Sequence, residues 1–342
     1  EDMLVVAVPD LSLMKGTSRK RKQRSNERNK ILGRNEEKAA KATEDSQTPS
    51  FHLCRIPFFN SIRDVPKPDE WISFGQERIP STSLNRLYIR KCYVTIASSI
   101  LHVSGNHKAI IFGTPGIGKS IFLIYLLWRS VKEGKRVLSM YGKFNIYYDG
   151  NGGVFRFSSA RLPLDDADSF WNDTLWCLFD AKDKKDFQLM QLPKDLATFV
   201  VSTSPRREMV NDYKKPPVPQ VFYMPIWTKA KLETIAPLFP EAYSEWFNRF
   251  TILGGIPRHV LEDTTQSPIL MLEAACADCS LDDCIKKIGI NSTITGKSKV
   301  IHSLVHMTSE SPFTNSSVCY ASPTAPKIIL RHKSSEVIRK MH

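Results

Sequence analysis

The run Gly113-Thr-Pro-Gly-Ile-Gly-Lys119-Ser120 fits G-x-x-x-x-G-K-[ST], the pattern of a loop that cradles phosphates. Gly113, Gly116 and Gly118 let the backbone turn tightly and approach an anion without a Cβ in the way. The amides from Thr114 to Lys119 would face that anion at the start of a helix, where the dipole favours negative charge. The expected binding set is therefore Gly113, Thr114, Pro115, Gly116, Ile117, Gly118, Lys119 and Ser120. The Lys119 ammonium would meet the β- and γ-phosphates and the Ser120 hydroxyl would ligate Mg²⁺, so ATP with Mg²⁺ is the expected ligand pair.

Such a loop needs a second acid for the metal, usually at the end of an apolar strand. Asp180, after Leu175-Trp-Cys-Leu-Phe179, is favoured for this. Asp149 is the rival, but it opens a hairpin turn, where Asp is common for backbone reasons alone. A Glu often follows the metal-binding Asp and orients the attacking water; here Ala181 follows, and Asp183 is the alternative. Hydrolysis is therefore less secure than binding. Ser202, Thr203 and Ser204 close another strand where a polar group could sense the γ-phosphate or place water. They serve equally well as a turn cap before Pro205. Arg206 and Arg207 could act as arginine fingers or form a surface pair. Gly254-Gly-Ile-Pro257-Arg258 ends an apolar helix, with Arg258 expected to face back toward the nucleotide. Cys276-Ala-Asp-Cys279, Cys284, His302 and His306 invite a zinc reading. The Cys pair is suitably spaced, but its gap to His302 exceeds the ~12 residues of a zinc finger, and the apolar neighbours point to a buried helical patch.

The elements that must position these groups can be read from periodicity. Ala109-Ile-Ile-Phe112 is a short apolar strand and Ile121 to Glu133 an apolar helix closed by Gly134 and Lys135. Further strands are expected at Arg136–Met140, at a hairpin of Phe144–Asp149 and Val154–Phe157, and at Leu175–Asp180, Ala197–Ser202 and Val221–Met224. Helical patterns between them imply a parallel, helix-covered sheet with its ligand at the carboxyl ends of the strands. A helix over Leu84–Leu101 leads into this sheet, and the aromatics of residues 51–104 read as core. The fold expected is α/β: a P-loop NTPase with a mostly parallel sheet covered by helices, followed by a helical region and preceded by a disordered basic linker.

At 342 residues, 42% hydrophobic, the chain can bury a core, and its net charge of +13 favours anionic partners. The densest basic run, Arg19-Lys-Arg-Lys22-Gln-Arg24, lies in residues 10–50, a segment almost free of aromatics and expected to be a linker. The run reads as an importin-binding nuclear signal or a nucleic-acid contact, against a solvated charge run. Seven scattered cysteines suggest no disulfide framework and a reducing compartment. No apolar run approaches the ~18 residues of a membrane span, so no membrane partner is expected. The start at Glu1 suggests a fragment lacking its signal region.

Taken together, Gly113 to Ser120, the Leu175–Asp180 strand, Ser202-Thr-Ser-Pro205 and Gly254-Gly-Ile-Pro-Arg258 resemble the Crinkler effectors of oomycetes and some fungi. The NTPase module of that family is related to trypanosome retrotransposon hot spot proteins. Leu4-Val-Val-Ala-Val-Pro9 resembles the end of a Crinkler header. The resemblance implies a protein secreted by a pathogen or symbiont, delivered into a host cell and often into its nucleus. Its partners there would be a nuclear protein or DNA. It also implies this division: 1–9, end of a header; 10–50, linker; 51–265, NTPase domain with its lead-in; 266–342, a helical region that begins a truncated effector or nuclease domain. Two rivals remain: a non-hydrolysing, nucleotide-dependent docking module, and a DNA-stimulated ATPase.

Overall fold

The computed structural model describes residues 52–53, 66–74, 85–141, 144–157, 162, 170–181, 192–204, 218–278, 289–290 and 301–341. Its centre is an eight-stranded sheet. Five strands run parallel: β4 (Lys108–Phe112), β5 (Arg136–Tyr141), β8 (Leu175–Ala181), β9 (Thr198–Thr203) and β10 (Gln220–Tyr223). An antiparallel margin of β6 (Phe144–Tyr148), β7 (Val154–Arg156) and β1 (His52–Leu53) extends it beyond β5. The order is β1-β7-β6-β5-β8-β9-β4-β10, so β9 stands between the strand of the glycine loop and the strand of Asp180.

Every residue of β4 is buried, as expected of a strand covered on both faces. Alternate side chains enter two cores. Ile111, Leu178 and Val200 join one with Ile96, Phe122, Tyr125 and Trp128 from helices α1 (Lys91–Leu101) and α2 (Lys119–Lys132). The α2 segment is apolar on nearly every side because it lies between the sheet and α1, and it ends where Gly134 takes φ +67°.

The opposite face holds Ile110, Phe112, Phe179, Phe199 and Val201. Its cover comes from the end of the chain. Helices α3 (Lys229–Ile235) and α4 (Trp246–Leu253) lead into α5 (Pro268–Asp278), α6 (Ile301–Leu304) and α7 (Ala325–Met341). Between the last of these run β11 (Gly289–Ile290), β12 (Val305–Thr308) and β13 (Ser317–Tyr320), an antiparallel sheet in the order β11-β13-β12. Leu272, Leu304, Met307, Val318, Ala325 and Ile329 from these elements enter the same core as Phe199 and Phe179. Helices α5 and α7 thus fall within 266–342, together with a sheet that the periodicity did not reveal. Residues 49–342 form one unit. The expected header, the linker and the Arg19–Arg24 cluster lie outside the described residues.

A second difference from expectation precedes the main sheet. The helix begins at Lys91 rather than Leu84, because Arg86–Tyr88 is a strand, β3, paired antiparallel with β2 (Trp71–Ser73). The spacing of Leu84, Leu87 and Tyr88 suits a helix, yet pairing buries Leu87 and Tyr88 just as well, and Tyr88 donates to Asp69 Oδ1 at 2.7 Å. Most of the connections β8–β9 and β9–β10 lie outside the described residues, as do the helices expected in them.

Candidate functional site

The glycine loop joins β4 to α2 at the carboxyl end of the parallel strands, and three separate segments hold it. Gly118, the residue before α2, has φ +98°, and a Cβ there would come within 2.6 Å of the Tyr93 hydroxyl. Only glycine meets both conditions. Tyr93 donates to the Gly118 carbonyl at 2.9 Å. The Ile117 carbonyl accepts from Arg90 Nη1 at 3.2 Å and from Trp227 Nε1 at 2.8 Å. The Met307 amide on β12 donates to Thr114 Oγ1 at 3.3 Å. These bonds anchor the carbonyl edge of the loop, and most come from residues distant in sequence. Nothing local marks Arg90, Tyr93 or Trp227 for this work.

Lys119 and Ser120 open α2. The Lys119 ammonium donates to the Gly113 and Thr114 carbonyls at 2.9 and 3.1 Å, closing the loop on itself. Burial pushes its pKa down from 10.5 to about 8; the Asp180 carboxylate opposes that shift and the Arg258 guanidinium adds to it. The Ser120 hydroxyl donates to Asp180 Oδ2 at 2.8 Å, and the Ser202 hydroxyl donates to Asp180 Oδ1 at 2.6 Å. The second contact follows from register, since Asp180 and Ser202 are direct partners on β8 and β9. Three expected residues, 60 and 22 positions apart, thus meet as a hydroxyl–carboxylate–hydroxyl chain beside the loop.

The donor set suits a hard divalent cation. Ser120 Oγ and Asp180 Oδ2 are close to the spacing of neighbouring ligands on an octahedron with bonds of roughly 2.0–2.1 Å. Ser202 Oγ keeps lone pairs with which it can accept from a water.

Arg258 stands beside the loop: a Cβ on Gly116 would lie 2.9 Å from Arg258 Cβ and 3.0 Å from Ile256 Cγ2. The turn that brings it there is closely packed. A Cβ on Gly255 would run into the Trp227 carbonyl, and one on Gly254, at φ +75°, into that of Ala321.

Asp149 is occupied elsewhere, accepting from the amides of Asn151 and Gly153 at 2.7 and 2.9 Å in the β6–β7 turn. Thr203 Oγ1 donates to the Ser204 carbonyl, which is turn chemistry. Asp183, Arg206, Arg207, Cys279 and Cys284 lie outside the described residues. Among the described residues no group of three or more His, Cys, Asp or Glu is placed to hold a metal ion. No described helix is long and apolar enough to cross a membrane.

No family model matches the sequence. Crinkler effector protein 15 of Phytophthora infestans is 41% identical over 292 residues, 84% of this chain and 46% of that protein. Crinkler effector protein 16 of the same organism is 40% identical over the same shares. The chain spans about half the length of these relatives. Over 84% of its length this chain is thus similar in sequence to two Crinkler effector proteins.

Proposed function

We propose that the chain is part of a Crinkler-type effector, secreted and acting inside a host cell, whose central α/β domain is a P-loop ATPase. The observation that carries the enzymatic reading is the meeting of Ser120, Asp180 and Ser202 beside Lys119 at the strand ends. The loop amides and Lys119 would bind the phosphates of ATP. Mg²⁺, held by Ser120 and Asp180, would neutralise charge developing on the β- and γ-oxygens. Ser202 would orient a water in line with the γ-phosphate, and Arg258 would add positive charge on the loop's other side. Catalysis here is positioning and charge stabilisation, since the transferred phosphoryl asks for little covalent chemistry.

The test is phosphate release with Mg²⁺ and ATP. Lys119→Ala and Asp180→Asn each should lower turnover by about 10²–10³-fold, the scale of losing one preorganised charge contact. Equal, negligible release from wild type and both variants would remove the enzyme reading.

A second reading keeps nucleotide binding and drops hydrolysis. It is favoured by Ala181 at the position after Asp180, buried at 5% exposure and unable to orient water. The protein would then be a nucleotide-dependent module docking on a host nuclear partner, and ATP binding without turnover would select it. Nuclear entry through importin is proposed on the Arg19–Arg24 cluster alone.

A further inference from the structure

Arg90 carries a charge that the catalytic reading leaves unanswered. It is 1% exposed, and its Nη atoms donate to the carbonyls of Ile117, Pro225 and Ile226 at 2.7–3.2 Å. Its guanidinium lies 4.6 Å from the Trp227 ring centroid. Its Nε has no acceptor, and no carboxylate pairs with it, among the described residues. A buried cation satisfied only by neutral groups is costly unless an anion joins it.

The same residue lines a cavity of about 630 Å³ between the start of α1, the β10–α3 connection, the end of α4 and the β12–β13 sheet. Lys91 and Lys231 also line it, and among the described residues no Asp or Glu does. Lys231 makes a long contact of 3.9 Å to Asp69. The first two residues of α1, Lys91 and Cys92, open onto the cavity, and the residue before them supplies no side-chain cap. First-turn amides of an 11-residue helix therefore add their partial charge to the three cations. The rest of the wall is mostly apolar, with Trp227, Phe250 and Phe313 as its large members.

We propose that this cavity binds a small anion with an aromatic body, at a site separate from the glycine loop. Arg90, Lys91 and the α1 amides receive the negative group, and Trp227, Phe250 and Phe313 hold the ring. Because Arg90 and Trp227 both donate to the Ile117 carbonyl, occupancy of the cavity reaches the loop through two hydrogen bonds.

The test uses the whole chain and two fluorescent probes of similar shape, anionic 8-anilinonaphthalene-1-sulfonate and neutral N-phenyl-1-naphthylamine. The anionic probe should bind saturably at one site, and the neutral one about tenfold more weakly, the worth of one charge-assisted contact. Lys91→Glu, at an exposed position, should weaken the anionic probe by a similar factor with its thermal melt unchanged. MgATP should not displace the probe. Absence of binding, equal affinity for the neutral probe, or indifference to Lys91→Glu would overturn the proposal. Complete displacement by MgATP would make the cavity the far end of the nucleotide site and overturn its separateness. Because the probes need no turnover, an inactive loop and an empty cavity are told apart.

Discussion

Burial holds Lys119 near pKa 8 in the folded protein against 10.5 unfolded, so between those values the unfolded chain carries more protons. Stability from this group therefore rises with pH across that window, and the cost of burying the ammonium is fully present below it. A triphosphate beside the ammonium would favour its charged form. ATP binding should thus take up a fraction of a proton and weaken as pH climbs from about 8 toward 10.5. Calorimetry in two buffers of different ionisation enthalpy measures that uptake directly; none at about pH 8.5 would contradict the placement of phosphate at Lys119. Asp180 shows how much of a site a spacing rule can deliver. An acid closing an apolar strand is legible, and so is Ser202 at the end of the next. Their bond at 2.6 Å depends on β8 and β9 being neighbours in register, which no local pattern encodes.

Among elements, α1 carries more than its apolar stripe suggests. Its buried residues Tyr93, Ile96 and Ile100 pack with α2, while Arg90, just ahead of it, ties the loop to the β10–α3 connection. Replacing Arg90 with Leu would leave the carbonyls of Ile117, Pro225 and Ile226 without this donor. Ile117 would keep the Trp227 bond, and the other two would face desolvation at about 1–3 kcal/mol each. A loss of several degrees in the melting temperature is expected by circular dichroism; an unchanged melt would show that water replaces the guanidinium. Sequence reading extended this helix to Leu84 because positions 84, 87 and 88 share its period. The pairing of β3 with β2 overrode that signal by burying the same side chains.

For the whole molecule, the end of the chain is a structural layer of the sheet. Leu304, Val305 and Met307 are 0% exposed in a core shared with Phe199 and Val201. Truncation after residue 265 should therefore expose one sheet face and give aggregated or molten protein; a soluble, cooperatively melting 49–265 fragment would refute that shared core. The same layer sets an acid limit. His306 is 0% exposed; burial first, then the neighbouring His259 and His302, push its pKa down from 6.5 to about 3. The unfolded chain takes up a proton at 6.5 and the folded one only near 3, so stability is full above 6.5 and lost as pH falls toward 3. Denaturant midpoints should drop over that range, and His306→Gln should flatten the slope.

By itself the sequence determined the local chemistry: a glycine loop between strand and helix, an acid closing one apolar strand, a serine closing another, and the turn that carries Arg258. These are short-range patterns, fixed by backbone sterics and hydrophobic period. Only the tertiary structure decided that β9 lies between β4 and β8, that Arg90 and Trp227 hold the loop from behind, and that a late antiparallel sheet covers the second face. Each of those depends on which distant segments exclude water together, and side-chain period along one segment carries no record of its partner.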